Sequence, residues 1–225
     1  MKKPFRQGVG DRVYLVAVYI FVIVCSFIAL YPMLYTLSMS ISGAEHVARN
    51  DIFLLPKGFS LQAYKMVFED KEIWGAYANT IWYTVVGTGL SVALTMISAY
   101  PLSRRRFFLR KKLMLFVVFT MYFSGGMIPM FLLINKIVLY NTRWACIFPY
   151  LISAWNLIVC RSFMESIPET LEEAASIDGA SPYMIFWKIF LPLSKPVLAV
   201  MTLFYAVGQW NAYFAAMMYL PDANL

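Results

Sequence analysis

Glu173-Ala174-Ala175-Ser176-Ile177-Asp178-Gly179, with Ile189-Phe190-Leu191-Pro192 nine residues further on, forms a polar island between two long apolar runs. Just ahead of it, Ser166-Ile167-Pro168-Glu169 has the spacing of a capping box: a hydroxyl at N-cap, proline in the first turn and Glu at N3. This predicts a helix over residues 167–178. Glu169, Glu172 and Glu173 fall in its N-terminal half, where the macrodipole favours negative charge. Gly179 stops it, as glycine does just past a helix end. Ser181-Pro182 starts a second short helix, serine at N-cap and proline at N1, and Leu191-Pro192 ends it and turns the chain back. The expected product is a compact helix-turn-helix lying along a membrane face. Ala174, Ala175 and Ala180 keep the bulk around the elbow low, so the surface of another protein can approach the backbone. A plain solvated linker would not need small residues clustered around a single glycine.

The surroundings explain why such an island needs a membrane beside it. The chain is 61% hydrophobic and only 14% charged, against about 25% charged for soluble domains. Its charges cluster and leave residues 13–44, 73–103, 113–135, 144–160 and 196–221 free of Asp, Glu, Lys and Arg. A helix needs about 20 apolar residues to cross the hydrocarbon core, with a lower limit of about 17. Four windows clear this and residues 144–160 sit at the limit. Helices are the default because lipid offers no partner to an unpaired backbone group. The fold class is therefore an all-α polytopic membrane protein. Five transmembrane helices are predicted at about 13–41, 74–100, 113–135, 144–160 and 196–220, with an N-tail of 1–12 and a connecting loop of 161–195. The first run is too long for a signal peptide and lacks a convincing small-residue cleavage site, so it reads as a retained span.

A net charge of +7 would suit nucleic acid, but its distribution argues otherwise. The N-tail (Lys2, Lys3, Arg6, Arg12), the 104–112 loop and the 161–195 loop together hold 13 Lys and Arg, and the alternate loops hold 6. The positive-inside rule then places the N-terminus, the 104–112 loop and the polar island in the cytoplasm. The protein reads as multi-pass in the plasma membrane, with lipid rather than nucleic acid around it.

Span one contains Pro32, where a break is expected. Residues 60–68 read as a short amphipathic helix with Leu61, Tyr64 and Phe68 on one face, either lying on the bilayer or meeting a partner. Ser124-Gly125-Gly126-Met127-Ile128-Pro129 should interrupt span three, as a pathway-lining break or a packing kink.

The chemistry is mostly excluded. His46 is the single histidine, beside Glu45, which rules out His-pair zinc motifs and disfavours a Ser-His triad; it reads as an idle loop residue. Cys25, Cys146 and Cys160 have no metal-ligand spacing and read as small buried hydrophobes. No glycine begins a P-loop, and no cofactor is called for. Ion-coupled transporters place ionisable groups at mid-membrane, and these spans hold none, so pumping must draw on an external energy source. Amides and aromatics remain: Asn79 and Tyr83, Trp155-Asn156, and Gln209-Trp210-Asn211. With Gly125 and Gly126 they are candidates to line a pathway for a hydroxyl-rich solute. The alternative is interhelical hydrogen bonding and aromatic belts.

The pattern Glu-Ala-Ala, three residues, Gly, nine residues, Ile-x-Leu-Pro resembles the signature loop of permease subunits of binding-protein-dependent ABC importers. Tyr122-Phe123-Ser124-Gly125-Gly126-Met127-Ile128-Pro129, Asn141-Thr142-Arg143-Trp144 and Trp210-Asn211 resemble its carbohydrate-uptake branch, related to the second membrane subunit of the maltose importer and to Gram-positive oligosaccharide permeases. The resemblance implies a heterodimer with a second permease, two copies of a cytoplasmic ATPase, and an extracellular solute-binding protein that delivers the sugar. It implies that Glu173, Ala174, Ala175, Asp178, Gly179, Ala180, Ile189, Leu191 and Pro192 couple to the ATPase, with Glu173 facing basic residues of its cleft. The family's sixth helix has no counterpart among the predicted spans. A same-superfamily permease for an amino acid or phosphonate, and an intramembrane enzyme, are the competing classes; the second needs a catalytic dyad or metal set that the spans do not offer.

Overall fold

The computed structural model describes residues 9–222. The part of the N-tail before residue 9, with Lys2, Lys3 and Arg6, lies outside the described residues. The chain divides after Ile73 into two units.

The first unit opens with α1 (Val9–Ser40), which runs through Pro32 without interruption. The expected break is absent. The Thr36 hydroxyl, one turn further along, donates to the Pro32 carbonyl at 2.8 Å. After α2 (Ala44–Ala48) the chain closes a small hairpin-like loop: the Gly43 N–H donates to the Lys57 carbonyl and the Ser60 N–H to the Ile41 carbonyl, both at 3.0 Å. Gly58 sits at φ +61°, where a Cβ would lie 2.9 Å from the His46 ring. His46 is therefore not idle. Its Nδ1 lies 3.2 Å from the Asp51 carboxylate, with the Lys57 ammonium 3.9 Å away. The His46 hydrogen bond holds the Asp51 carboxyl below the usual range. The amphipathic segment is α3 (Gln62–Glu69), tied to α1 by the Tyr64 hydroxyl, 2.8 Å from the Ser40 hydroxyl. Cys25 is exposed on α1, not buried.

The second unit takes in the long helix α4 (Lys71–Ser103) from Trp74 onward. Gly87, Ser91, Thr95 and Ala99 lie on its buried face at helical spacing, so small residues admit close neighbours. Next come α5 (Arg110–Tyr122) and α6 (Met127–Lys136), bent by 116° at Gly126, whose φ of +86° only glycine adopts freely. The glycine pair thus does interrupt span three, and the bend is sharper than a kink. Span four is also discontinuous. Two 3₁₀ turns, Arg143–Cys146 and Phe148–Tyr150, precede α7 (Ala154–Glu165), with a 49° bend between them. The chain continues through α8 (Glu169–Ile177) and α9 (Pro182–Ile185), a π-turn (Phe186–Phe190), α10 (Leu191–Leu193), α11 (Lys195–Trp210) and α12 (Tyr213–Tyr219). Among the described residues there is no strand. Among the described residues two helices are long and apolar enough to cross a membrane, and up to five spans result when each bent pair counts as one.

One core cluster joins Met96 and Ala99 of α4, Cys160 and Met164 of α7, Phe190 of the π-turn and Met201 of α11, all nearly inaccessible. A second joins Tyr83, Ile134, Cys146, Ile147 and Tyr219.

Candidate functional site

The elbow forms largely as its sequence dictates. Ser181 caps α9 by accepting from the Met184 N–H at 3.3 Å, with Pro182 at N1. Gly179 has φ +80°. The Gly179 N–H donates to the Ser176 carbonyl at 3.1 Å and the Ala180 N–H to the Ala175 carbonyl at 2.9 Å, the paired bonds of a Schellman motif. Two expectations fail. Ser166 does not cap α8: its hydroxyl donates to the Phe163 carbonyl at 2.6 Å and finishes α7, while Pro168 stands at the N-cap of α8. Helix α7 runs on to Glu165, four residues past the expected start of the connecting loop at 161. Nor does Leu191-Pro192 end the second helix. The wider π-turn ahead of Pro192 carries the helical path on to Leu193, and the 80° turn falls at Ser194.

The elbow has an inner and an outer face. Ala175, Ala180, Ile189 and Leu191 pack against the first core cluster, so two of the three alanines seat the elbow on its own membrane helices. Glu173, Ala174, Asp178, Gly179 and Pro192 are exposed. Beside them stand Ile177 and Tyr183, 87% and 81% exposed, with Met184 and Trp187. Sequence reasoning passed over these apolar residues; the signal was their presence in a loop already assigned to the cytoplasm.

The acidic residues of α8 divide. Glu172 lies 3.8 Å from Arg104 Nη1 and Glu169 lies 3.6 Å from Arg105 Nε. Glu173 lines a small cleft with Arg104, Arg105 and Arg106 yet has no ion-pair partner among the described residues. Arg104 is 5% exposed. Its Nε donates to the Ser103 hydroxyl at 2.9 Å, its Nη2 to the Met164 carbonyl, and its guanidinium lies 4.5 Å from the centre of the Phe190 ring. Arg161 Nε donates to the Leu102 carbonyl at 2.9 Å and its Nη2 lies 3.0 Å from Glu165.

Two neighbouring cavities border α11 and α12. The larger, 580 Å³, is lined by Tyr150, Ser153, Asn156, Phe204, Tyr205 and Gln209 among others, with no Asp, Glu, Lys, Arg or His. The second, 320 Å³, is lined by Asn79, Tyr83, Gln209, Trp210 and Tyr213 among others. Gln209 and Ala212 border both. Asn156 is 7% exposed and Gln209 8% exposed, and neither side-chain amide bonds to another described residue. Gln209 packs where Gly87 lacks a side chain: a Cβ there would lie 2.9 Å from Nε2. The Tyr205 hydroxyl accepts from the Ser153 N–H at 3.1 Å and is 2.7 Å from the Thr95 hydroxyl. It is therefore occupied as a strut between α4, α7 and α11. Of the expected pathway residues, Asn79, Tyr83, Asn156, Gln209 and Trp210 meet at these cavities. Trp155 and Asn211 are exposed away from them, the Asn211 amide donating to the Val207 carbonyl at 2.8 Å, and Gly125 and Gly126 line neither cavity. Asn79 accepts from Arg143 Nη2 at 3.1 Å, which gives it a structural partner as well.

Residues 86–224 match the family of binding-protein-dependent transport system inner membrane components. The polygalacturonan/rhamnogalacturonan transport system permease protein YtcP of Bacillus subtilis (strain 168) is 41% identical over 213 residues, covering 95% of this chain and 74% of that protein. Protein LplC of the same organism is 43% identical over 196 residues, covering 87% of this chain and 66% of its own length. Among solved structures, a chain from the crystal structure of a bacterial ABC transporter involved in the import of the acidic polysaccharide alginate superimposes with a TM-score of 0.93 at 39% identity, over 99% of this chain and 79% of that one. With the capped elbow already in place, these matches are decisive: the chain belongs to the binding-protein-dependent inner membrane components, the multi-pass permease subunits of ABC importers.

Proposed function

We propose that this subunit conducts an oligosaccharide across the plasma membrane, driven by a separate cytoplasmic ATPase, and performs no covalent chemistry itself. It pairs with a non-identical permease, sits on two ATPase copies, and receives solute from an extracellular binding protein. The observation that carries the sugar reading is the 580 Å³ cavity, lined by the amides of Asn156 and Gln209 together with Tyr150, Phe204, Tyr205 and Phe214. Amides offer donors and acceptors to hydroxyls, and aromatic rings offer an apolar face with a polar handle. The polygalacturonan and alginate named for the two relatives are saccharides too. This wall carries no charge, so it recognises hydroxyls, and any carboxylate on the sugar is neutralised elsewhere in the assembly.

Coupling rests on the outer face of the elbow. Glu173, which has no ion-pair partner among the described residues, meets basic residues of the ATPase, while Ile177, Tyr183 and Trp187 bury against it and Gly179 lets the turn enter. The N-terminus and the 104–112 loop lie on the same cytoplasmic side. ATP binding closes the ATPase dimer, the elbow moves with it, and the spans rock between inward- and outward-facing states.

The test is uptake of a labelled oligosaccharide by cells carrying the complete importer. Collapsing the proton gradient at constant ATP leaves uptake intact, and deleting the ATPase abolishes it. Uptake that survives loss of every compatible ATPase and dies with an uncoupler overturns the proposal. Uptake of an amino acid or phosphonate in place of the sugar overturns the choice of solute alone.

A further inference from the structure

Arg104 came into view in the sequence only as one positive charge among thirteen, yet beneath the elbow it makes two hydrogen bonds, an ion-pair approach and a ring contact. Four separate elements converge on it. The Ser103 hydroxyl belongs to the last residue of α4, and the Met164 carbonyl to the last turn of α7. The Phe190 ring ends the π-turn, and Glu172 belongs to α8. A planar guanidinium with five donors and a stacking face can hold such a set at once; an ammonium cannot. The set is also incomplete. Nη1 is buried and reaches no acceptor within hydrogen-bond distance among the described residues. The Glu172 carboxylate stands 3.8 Å away, about 1 Å beyond a charge-assisted hydrogen bond.

We infer that Arg104 is the positioning residue through which the docking elbow drives the membrane helices. When the ATPase presses on α8, Glu172 closes onto Nη1 and completes the fork, and α8 then moves as one piece with the ends of α4 and α7 and with the π-turn. The aromatic contacts behind it support this: Tyr100 of α4 packs on Phe186 and Phe190 with ring centres 5.3 and 4.9 Å apart. Displacement of the π-turn is thereby passed to α4, whose buried face continues up to Gly87 and the cavities. The inference rests on the coupling role proposed above for the elbow.

The experiment uses the complete importer in nanodiscs, with Cys25, Cys146 and Cys160 replaced by serine and one reporter cysteine introduced as Ala212→Cys, between the two cavities. A membrane-impermeant maleimide reads its exposure to the outer side, with and without ATP, so no transported solute is required. In the otherwise native protein, ATP raises the labelling rate. In Arg104→Met the complex assembles and the ATPase dimer still closes, but the ATP-dependent rise shrinks by about tenfold, within the usual span of coupling between sites. Arg104→Lys recovers only part of the rise. Glu172→Gln lowers it in the same direction, and combining Glu172→Gln with Arg104→Met adds nothing further, as expected for two members of one connection. A full rise in Arg104→Met overturns the inference. If that variant does not assemble, Glu172→Gln decides, and an unchanged rise there overturns it. Glu173→Arg keeps the two readings apart: loss of the rise in Glu173→Arg with a full rise in Arg104→Met overturns the role of Arg104 and leaves docking standing.

Discussion

At Gly87 the absent side chain makes room for Gln209. A methyl group there would meet the end of the Gln209 side chain at 2.9 Å, and that end is flexible enough to swing aside. Gly87→Ala is therefore expected to leave the amount of assembled protein unchanged and to lower oligosaccharide uptake, because the amide is pushed from its place between the cavities. Gly87→Leu, which no swing relieves, should destabilise the protein by about 1–3 kcal/mol, read as loss of thermal stability in detergent. Gly179 is constrained differently. No atom lies within 4 Å of a Cβ there, but its φ of +80° is left-handed. Gly179→Ala should cost about 1–2 kcal/mol, visible as faster amide exchange in the elbow. In the outer loop, the Asp51 carboxyl is held below its ordinary value of 3.8, chiefly by His46. Its contribution to loop stability is complete above that value and is lost as pH falls through the lowered one. Amide exchange across residues 43–58 should therefore respond to Asp51→Asn at pH 7 and lose that response in strong acid.

Among elements, the π-turn is one that no sequence pattern announced. A π-turn holds one residue more than the α-helical path it interrupts, so deleting the exposed Lys188 should restore an α-turn and move Phe190 one position along the helix relative to the elbow. That takes Phe190 off Arg104, and transport per ATP hydrolysed should fall while expression persists. Why some elements were legible and others not is a matter of range. Ser181-Pro182 and Gly179 act within one turn of chain, and each does what its chemistry requires. Ser166 could serve either neighbouring helix, and α7 took it: the Arg161–Glu165 pair extends that helix beyond the apolar window. The 116° and 80° bends are tertiary outcomes that hydropathy reports only as long apolar runs. The same holds for the candidate site. Composition pointed to buried amides, but only packing distinguishes Gln209, wedged against Gly87, from Asn211, bonded back to its own helix.

For the whole molecule, charge placement gives an orientation with a direct test. A cysteine at position 106 should react with impermeant reagents only from the cytoplasmic side; labelling from outside intact cells contradicts the arrangement. The interior also sets how tightly such an importer can be sealed. The two cavities share Gln209 and Ala212 as a common border, so the one long side chain at that shared edge is an amide free to swing. Selectivity at such a point is exercised through the height of a barrier and need not involve tight retention. Removing that side chain should then raise throughput and leakage together. A Gln209→Ala importer is expected to admit longer or bulkier saccharides and to let small sugars drift across without ATP, a slippage measurable as efflux from preloaded vesicles.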